Sequence, residues 1–283
     1  MATRLEIFAN PFKSMFRLPR GWDIRFSPRF IAYTPTYDVE IETKSYRLET
    51  ASTMNDLLEV FELRHQIFLD EVGAAKEDSD GFDVDDYDSI CDHIIIRSKE
   101  TDKIVGTYRV ISSVYSDDFY SQSEFDLDEF LDAPGQKLEL GRACIHRAHR
   151  NGAVIDLLWK GIAKYIGLTG ARYLFGCSSI KLTDPQTAKA LLNYLSEEGN
   201  LQDEFSIRPI GKFNMNLADV EAEEMEALEA KELIPPLLRS YFSAGSKVFG
   251  QPALDTEFKC IDLLTILDMT KITSGYKRRY FKA

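Results

Sequence analysis

Lys137-Leu-Glu-Leu-Gly-Arg-Ala-Cys-Ile-His146 is the segment from which the fold can be inferred most directly. Its apolar residues nearly alternate with polar ones, a pattern typical of a strand that has one face in a core. The alternation places Leu138 and Leu140 on the face opposite Glu139. The segment is therefore predicted to be a strand that carries a carboxylate on its second face.

A bulge, a basic turn and a helix are predicted next along the chain. Gly141 interrupts the alternation just before Arg142, and a glycine inside a strand often marks a bulge or a close backbone approach. The turn Arg147-Ala-His-Arg-Asn-Gly152 is basic, and apolar residues then recur at helical spacing until Gly170. The beginning of such a helix offers free N–H groups and a partial positive charge, so it suits a phosphate group.

Composition excludes several classes of protein. The chain has 283 residues, 44% of them apolar, which is enough for one large domain with or without an appendage. The net charge of −12 argues against a general nucleic-acid binder. We expect a cytoplasmic protein, because no apolar run suits a membrane span and the N-terminus lacks an apolar signal core. The widely spaced cysteines are expected to be reduced core thiols: Cys91, Cys144, Cys177 and Cys260.

Charge is distributed unevenly along the chain. Seven basic residues and two acidic residues lie between Lys137 and Arg172, whereas eight acidic residues lie between Glu77 and Asp92. The basic region indicates either a dock for an anionic partner or a solvated helix face. The acidic block indicates either a solvated loop or a pocket for a cationic substrate. A calcium loop is disfavoured, because Phe82 occupies the position of a ligand.

Residues 1–48 are predicted to form a basic and aromatic arm. Phe8, Phe12 and Phe16 are spaced four apart among basic residues, a composition that suits the surface of an anionic membrane. An arm packed on its own domain would have the same composition. Both alternatives, including contact with the inner face of the membrane, stay open at this point.

The order of the predicted elements indicates the fold class. A helix from Thr53 precedes a hairpin formed by His93–Ile96 and Ile104–Ile111. The strand, turn and helix described above come next, and Arg172–Cys177 and a helix from Asp184 follow. This order predicts an α/β domain with a mixed, mostly antiparallel central sheet flanked by helices.

A set of short motifs occurs in order over about residues 50–275. The motifs are Arg64-His-Gln-Ile-Phe68, Asp88-Ser-Ile-Cys-Asp-His93, Gly106-Thr-Tyr-Arg109, Ser123-Glu-Phe125, Leu138-Glu-Leu-Gly-Arg-Ala-Cys144, Leu157-Leu-Trp159, Leu174-Phe-Gly-Cys-Ser178, Pro235-Pro-Leu-Leu238 and the segment from Asp255 to Asp262. Through this ordered set, which is more specific than any one motif, the chain resembles the Gcn5-related N-acyltransferase (GNAT) superfamily, and within it the ornithine-lipid N-acyltransferases, which are also labelled hemolysin-like. The resemblance implies a GNAT fold, with an acyltransferase domain at residues 49–275 and a tail at residues 276–283.

The resemblance also implies the residues of the site. The chain is similar to homoserine-lactone autoinducer synthases as well, and the positions that match their functional set are Arg64, Phe68, Arg109, Glu139 and Arg142. The implied catalytic residues are Glu139, Arg142 and Arg109. The implied substrate-binding residues are Arg64, Phe68, Asp88, Asp92 and His93. The implied acyl-donor-binding residues are Arg147, Arg150, Gly152 and Trp159.

The implied reaction is an attack by the α-amine of an amino acid, with ornithine as the expected acceptor, on the thioester of a long-chain 3-hydroxyacyl group. Removal of a proton from that amine needs a base, and our hypothesis is that Glu139 serves as the base in a cleft shared with the helix that begins near Gly152. A structural ion pair of Glu139 with Arg109 or Arg142 is the alternative. Backbone N–H groups near Gly141 are expected to stabilise the oxyanion.

The acyl donor is expected to be a phosphopantetheine thioester, with no tightly bound cofactor and no metal. Family members that use acetyl-coenzyme A usually carry two spaced glycines in the phosphate turn, whereas this turn has only Gly152. This difference favours an acyl carrier protein over coenzyme A, and such an acidic carrier would suit the basic region. An autoinducer-type synthase or another N-acyl amino acid synthase is the alternative function. A lytic protein and a small-acyl acetyltransferase are disfavoured.

Overall fold

The computed structural model describes residues 28–71 and 81–281. Within these ranges the strands are β1 Glu40–Glu42, β2 Tyr46–Thr50, β3 Asp92–Ser98, β4 Ile104–Ser112, β5 Phe125–Asp126, β6 Gln136–Ile145, β7 Ala171–Ile180, β8 Leu201–Gln202, β9 Arg208–Pro209, β10 Lys247–Asp255 and β11 Cys260–Asp268. The α-helices are α1 Pro28–Ile31, α2 Met54–His65, α3 Asp128–Asp132, α4 Gly152–Thr169, α5 Pro185–Glu197, α6 Ala227–Leu233, α7 Pro236–Ala244 and α8 Ser274–Tyr280. A π-helical segment, Gln66–Glu71, extends α2.

A nine-stranded sheet organises the described residues, in the order β1-β2-β3-β4-β6-β7-β11-β10-β8. Neighbouring strands are antiparallel except for the pairs β6–β7 and β10–β8. Helices flank this sheet, so the predicted mixed and mostly antiparallel α/β architecture is confirmed. None of the helices described here has both the length and the apolar character required to cross a bilayer.

The parallel pair β6–β7 is the feature that shapes the site. Its pairing ends at Glu139 and Phe175, although β6 continues to Ile145 and β7 continues to Ile180. At Gly176 a side chain would collide with the carbonyl oxygen of Leu140, so the strands are still close there. Beyond that point the two strands no longer bond to each other, which leaves a gap in the middle of the sheet.

A bulge lies in β6 next to the end of this pairing. Arg109 of β4 lies opposite Gly141, and Thr107 lies opposite Cys144, so Tyr108 faces two residues of β6. Arg142, one of those two, has a φ of +49°. The interruption predicted at Gly141 is therefore confirmed, and the extra residue of the bulge turns the backbone at Arg142.

Helix α4 returns the chain from the end of β6 to the start of β7. The side chain of Asn151 accepts hydrogen bonds from the N–H groups of Ala153 and Val154, and Gly170 ends the helix in the left-handed conformation. The apolar face of α4 is buried against Leu138 and its neighbours on one side of the sheet. Each such buried aliphatic side chain contributes about 1.5–3 kcal/mol. Because α4 starts where β6 ends, its N-terminus lies at the unpaired end of the gap.

The predicted domain boundaries fall inside elements of secondary structure. Strand β2 pairs with β1 on one side and with β3 on the other, and the predicted boundary at residue 48 falls inside β2. The tail predicted from residue 276 begins inside α8, and Tyr276 and Tyr280 of α8 pack on Trp159. The part of the predicted arm that contains Phe8, Phe12 and Phe16 lies outside the described residues.

Candidate active site

Three arginines from three elements meet three aspartates of one loop. Arg64 of α2 donates from Nη1 and Nη2 to the two carboxylate oxygens of Asp88, at 2.7 and 3.1 Å, and from Nε to Asp83 at 2.8 Å. Arg109 of β4 contacts Asp85 at 2.6 Å and Asp88 at 3.2 Å. We call these residues, together with Arg142, the ion-pair cluster.

Arg142 completes the ion-pair cluster from the β6 bulge. Its Nη2 lies 3.1 Å from Asp85 and its Nε lies 3.5 Å from Asp83. The guanidinium also lies over the ring of Tyr120, 4.8 Å from its centroid, and close to the rings of Phe68 and Phe258. Its side chain is 12% exposed, against 0% for Arg64 and 2% for Arg109. Arg142 is therefore the arginine of the cluster that is most open to a ligand.

The ion-pair cluster is electrically balanced, with three cations and three anions. Burial alone would raise the pKa of Asp88, but Arg64 and Arg109 hold that pKa below its ordinary value. Removing one partner from a buried pair leaves an uncompensated charge, which costs about 3–5 kcal/mol. The cluster therefore fixes the loop of residues 83–88 against α2, β4 and β6.

Four of the expected substrate-binding residues have partners within the protein. Arg64 and Asp88 are 0% exposed and bind each other. Asp92 is buried and accepts hydrogen bonds from the backbone of Thr36 and Tyr37 and from the hydroxyl of Tyr165. Neither aspartate offers an open carboxylate to a cationic side chain.

His93 is the fourth of these residues and is sealed in the core. Its Nε2 lies 3.1 Å from the carbonyl oxygen of Asp88 and 3.4 Å from the sulfur of Cys91. Burial lowers the pKa of His93 to about 4. Asp88, Cys91 and His93 lie close enough together to hold a metal ion, but the oxygens of Asp88 already serve Arg64. His93 is therefore neutral at physiological pH and has no access to a substrate.

Glu139 binds the loop that follows β4. Its Oε2 accepts the N–H of Tyr120 at 2.8 Å and its Oε1 accepts the N–H of Ser121 at 2.7 Å. The residue is 3% exposed, and burial raises the pKa of its carboxyl group. Arg109 and Arg142 pair with aspartates instead, so the ion pair considered as the alternative for Glu139 does not form within the described residues.

Glu139 and helix α4 do not share one side of the sheet, contrary to the expected common cleft. The body of α4 packs on the face that carries Leu138, whereas Glu139 lies on the opposite face, in register with Phe175. The sheet is interrupted next to Glu139, where β6 and β7 stop pairing. A donor held at the start of α4 would have to reach Glu139 through this gap.

A second group of three buried carboxylates lies on the Glu139 side of the sheet. Glu124, Asp255 and Asp262 each offer an oxygen within 4.8 Å of the others, an arrangement that could hold a cation. Burial and the neighbouring carboxylates raise the pKa of Glu124 and of Asp262. We call these three residues the carboxylate triad.

The residues expected to bind the acyl donor divide into two groups. Arg147, Arg150 and Gly152 are exposed in the turn before α4 and at its first residue, where a phosphate could reach them. Trp159 is buried at 3% exposure, and its Nε1 donates to the hydroxyl of Ser240. Trp159 therefore packs α4 against α7 and α8.

Several residues of the site had no assigned role in the sequence-based prediction. Tyr120 and Phe258 contact Arg142, Asp83 and Asp85 complete the ion-pair cluster, and the carboxylate triad lies nearby. The sequence contained part of this information, because Glu124 and both aspartates of the triad belong to motifs that carry the family resemblance. The spacing of these motifs along the chain does not show that they meet.

A family model and several curated relatives match the chain. Residues 63–160 match the model of the acetyltransferase (GNAT) domain family. The chain is 29% identical over 231 residues to an L-ornithine N(alpha)-acyltransferase of Rhizobium meliloti (strain 1021), which covers 77% of this chain and 78% of that protein. It is also 29% identical over 232 residues to the protein of the same name from Brucella abortus (strain 2308), covering 77% and 83%.

Solved structures with a similar fold include TofI in a ternary complex with an inhibitor and MTA. That match has a TM-score of 0.48 at 12% identity and covers 84% of this chain and 97% of TofI. FeeM, an N-acyl amino acid synthase from uncultured soil microbes, matches with a TM-score of 0.44 at 9% identity and covers 86% of this chain and 96% of FeeM.

Residues 63–160 are thus similar to the acetyltransferase (GNAT) domain family. The described residues of the chain provide the sheet, the bulged central strand and the crossover helix on which the site is built. The protein is an enzyme of the amide-forming acyltransferase class.

Proposed function

We propose that this protein transfers a long-chain 3-hydroxyacyl group from the thioester of an acyl carrier protein to the α-amine of ornithine. The product is an N-acyl ornithine, a precursor of a phosphorus-free membrane lipid. The observation that carries the proposal is the similarity to L-ornithine N(alpha)-acyltransferases of several bacteria, which extends over 77% of this chain for two of them. The described site supports it with a route for the donor and with groups for the acceptor.

The gap between β6 and β7 supports a thioester on a long phosphopantetheine arm. The N-terminus of α4 lies at the unpaired end of the gap, and a helix N-terminus favours a phosphate. Arg147 and Arg150 are exposed beside it. An arm anchored there and passed through the gap would bring its thioester to the β6 bulge. Backbone N–H groups beside Gly141 remain our proposal for the oxyanion donors.

Glu139 remains our proposal for the general base. Its two hydrogen bonds to Tyr120 and Ser121 use one acceptor position on each oxygen, and a carboxylate has about four such positions. The raised pKa of its carboxyl group brings it closer to the pKa of an α-amine, which improves proton transfer. A water molecule between the amine and Glu139 would serve equally well.

Arg142 and Arg109 are proposed to orient the acyl group or the acceptor. Arg142 is the better placed, because its guanidinium is partly exposed and lies over Tyr120 beside the bulge. Its position at φ +49° is fixed by the register shift of β6 and by the aspartates of the ion-pair cluster. A planar guanidinium held in this way can bind a carboxylate through two hydrogen bonds.

A carrier protein is preferred to coenzyme A as the donor. The turn before α4 has exposed arginines and a single glycine, and a carrier protein presents an acidic surface. Such a donor places the reaction in the cytoplasm, with a product that passes to the inner face of the membrane. The KM for the carrier should rise with ionic strength, because exposed charges are screened by salt.

The test is a direct assay of the purified protein. A panel of 3-hydroxyacyl thioesters on acyl carrier protein and on coenzyme A is incubated with ornithine, lysine, other amino acids and S-adenosylmethionine, and the products are identified by mass spectrometry. We expect N-acyl ornithine, formed faster from the carrier protein than from coenzyme A. Release of an acyl lactone would instead support an autoinducer-type synthase, and the absence of N-acyl ornithine would contradict the proposal.

A further inference from the structure

The carboxylate triad lacks the counter-charges that the ion-pair cluster possesses. Within the described residues no lysine or arginine forms an ion pair with Glu124, Asp255 or Asp262. Their side chains are buried, at 1%, 6% and 4% exposure. Three carboxylates this close cannot all be ionised in a buried site unless a cation joins them.

One atom of the triad points to a missing partner. Oε1 of Glu124 is buried and has no hydrogen-bond partner among the described residues. The other oxygen of Glu124 lies 3.6 Å from the sulfur of Cys177, and Oδ1 of Asp262 accepts the hydroxyl of Ser179 at 2.6 Å. Buried polar atoms are almost always satisfied, so Oε1 of Glu124 needs a donor, which is either a proton shared with Asp262 or a cationic ligand.

The triad is adjacent to the place proposed for the reaction. Ser121 donates its N–H to Glu139, and its hydroxyl lies 3.4 Å from the sulfur of Cys177, which in turn contacts Glu124. Ser179, which contacts Asp262, is an exposed residue of the part of β7 that no longer pairs with β6. A ligand entering along the gap would therefore meet the triad and Glu139 on the same face of the sheet.

We propose that Glu124, Asp255 and Asp262 bind the side-chain ammonium of the acceptor amino acid and so select a diamino acid. This inference rests on the proposed function, since it assigns one end of ornithine to a subsite and leaves the α-amine near Glu139. A primary ammonium has three N–H donors, which matches three converging carboxylates. A divalent hard cation fits less well, because it takes six or more oxygens and the near neighbours here include the thiols of Cys177 and Cys260.

The experiment compares ornithine with norvaline, which has the same carbon chain without the terminal amine. The variants are Glu124→Gln and Asp262→Asn, and the control is Asp126→Asn, which removes a half-exposed carboxylate two residues from Glu124. We expect wild type and control to prefer ornithine in kcat/KM. Each triad variant should lose this preference about 100-fold by losing activity on ornithine while keeping its activity on norvaline.

Three results would overturn the subsite. One is equal use of ornithine and norvaline by wild type. Another is an equal loss on both acceptors in the triad variants, which would indicate a general structural or catalytic role. The third is stabilisation of wild type, but not of Asp262→Asn, by magnesium or calcium ions without competition from ornithine.

Amino-acid binding measured in the absence of an acyl donor separates this test from the test of the proposed function. Titration calorimetry of the two amino acids against wild type should show ornithine binding with release of protons, and weaker binding of norvaline without it, because the triad exchanges protons for the ammonium. If no thioester is consumed in any assay, the proposed transfer reaction is rejected. The binding comparison of ornithine with norvaline still tests the ammonium subsite. Equal binding of both amino acids, with no proton release, would reject it.

Discussion

Two groups of three acidic side chains lie in largely buried surroundings within the described residues, and they differ in what neutralises them. Asp83, Asp85 and Asp88 meet three arginines at hydrogen-bond distance, so their charges are balanced inside the chain. Glu124, Asp255 and Asp262 meet hydroxyl, thiol and backbone groups. The negative charges of the first group are neutralised by arginines of the protein itself. Those of the second group are neutralised by protons or by a cationic ligand.

The same difference appears in the direction of the pKa shifts. The arginines hold the pKa of Asp88 below its ordinary value, despite burial. Burial and the neighbouring carboxylates raise the pKa of Glu124 and Asp262. Burial is common to both groups, so the presence or absence of cations decides the sign of the shift.

The largest effect is expected from breaking the balanced group. Asp88→Asn leaves Arg64 buried without its bidentate partner and should lower the free energy of unfolding by about 3–5 kcal/mol, as measured by urea denaturation. The control is Arg208→Ala, which removes an exposed pair with Asp126 and should cost at most about 1 kcal/mol. Similar costs for the two variants would mean that the ion-pair cluster does not hold the fold together.

The next largest effect is expected from replacing Glu139, which belongs to neither group. Glu139→Gln cannot accept a proton, so kcat should fall by about 10²–10⁴-fold with little change in the KM for the donor. Because Glu139 also binds the N–H groups of Tyr120 and Ser121, the pH profile of kcat is needed to separate the two roles. Loss of the acidic limb of the pH profile of kcat would support Glu139 as the general base. An unchanged profile with a lower melting temperature would indicate that Glu139 only positions the loop.

A smaller effect is expected on the pH dependence of stability. The raised pKa of Glu124 means that its carboxyl group stabilises the fold when protonated, and this stabilisation is lost as the pH rises from its ordinary value of 4.5 through the raised value. Asp88 acts in the opposite direction, since its contribution is lost only as the pH falls below its ordinary value of 3.8. The ionisable groups that face Glu124 are Asp255, Asp262, Tyr120 and Cys177.

Thermal unfolding between pH 5 and pH 9 therefore tests, in the absence of substrate, whether Glu124 lacks a neutralising cation. We expect Glu124→Gln to melt a few degrees above wild type at pH 8, and its melting temperature to depend less on pH. For a chain of this size about 1 kcal/mol of stability corresponds to roughly 2–4 °C. At pH 5 the two proteins should melt at nearly the same temperature. A variant that melts lower than wild type at pH 8 would show that ionised Glu124 is already compensated in the free protein.

The smallest effect, on the KM for the carrier, is expected from residues outside both groups. Arg147→Ala or Arg150→Ala removes one exposed charge beside α4 and should raise the KM for the carrier about three- to tenfold at low salt, with kcat unchanged. The difference from wild type should vanish as sodium chloride is added. Lys212→Ala, an exposed lysine paired with Glu257, is the matched control. A loss that persists at high salt would argue against an electrostatic dock.

The central strand and its helix could be predicted because their signals are local. The alternation around Glu139, the interruption at Gly141 and the helical spacing up to Gly170 each depend on residues close in sequence. The side-chain roles were less predictable. Asp88 and Asp92 lie in one motif of the acidic block, yet one neutralises arginines while the other accepts hydrogen bonds from Thr36, Tyr37 and Tyr165.

The sequence by itself therefore determined the sheet-forming segments, the bulge, the crossover helix and the resemblance to GNAT acyltransferases, because these follow from short-range spacing and from motifs in order. Only the tertiary structure decided which charges meet. Glu124 and Asp262 are separated by more than a hundred residues, and their carboxylates converge because β7 and β11 are neighbours in the sheet and the loop before β5 folds over them. Burial and electrostatics depend on distance in space, and spacing along the chain does not fix that distance.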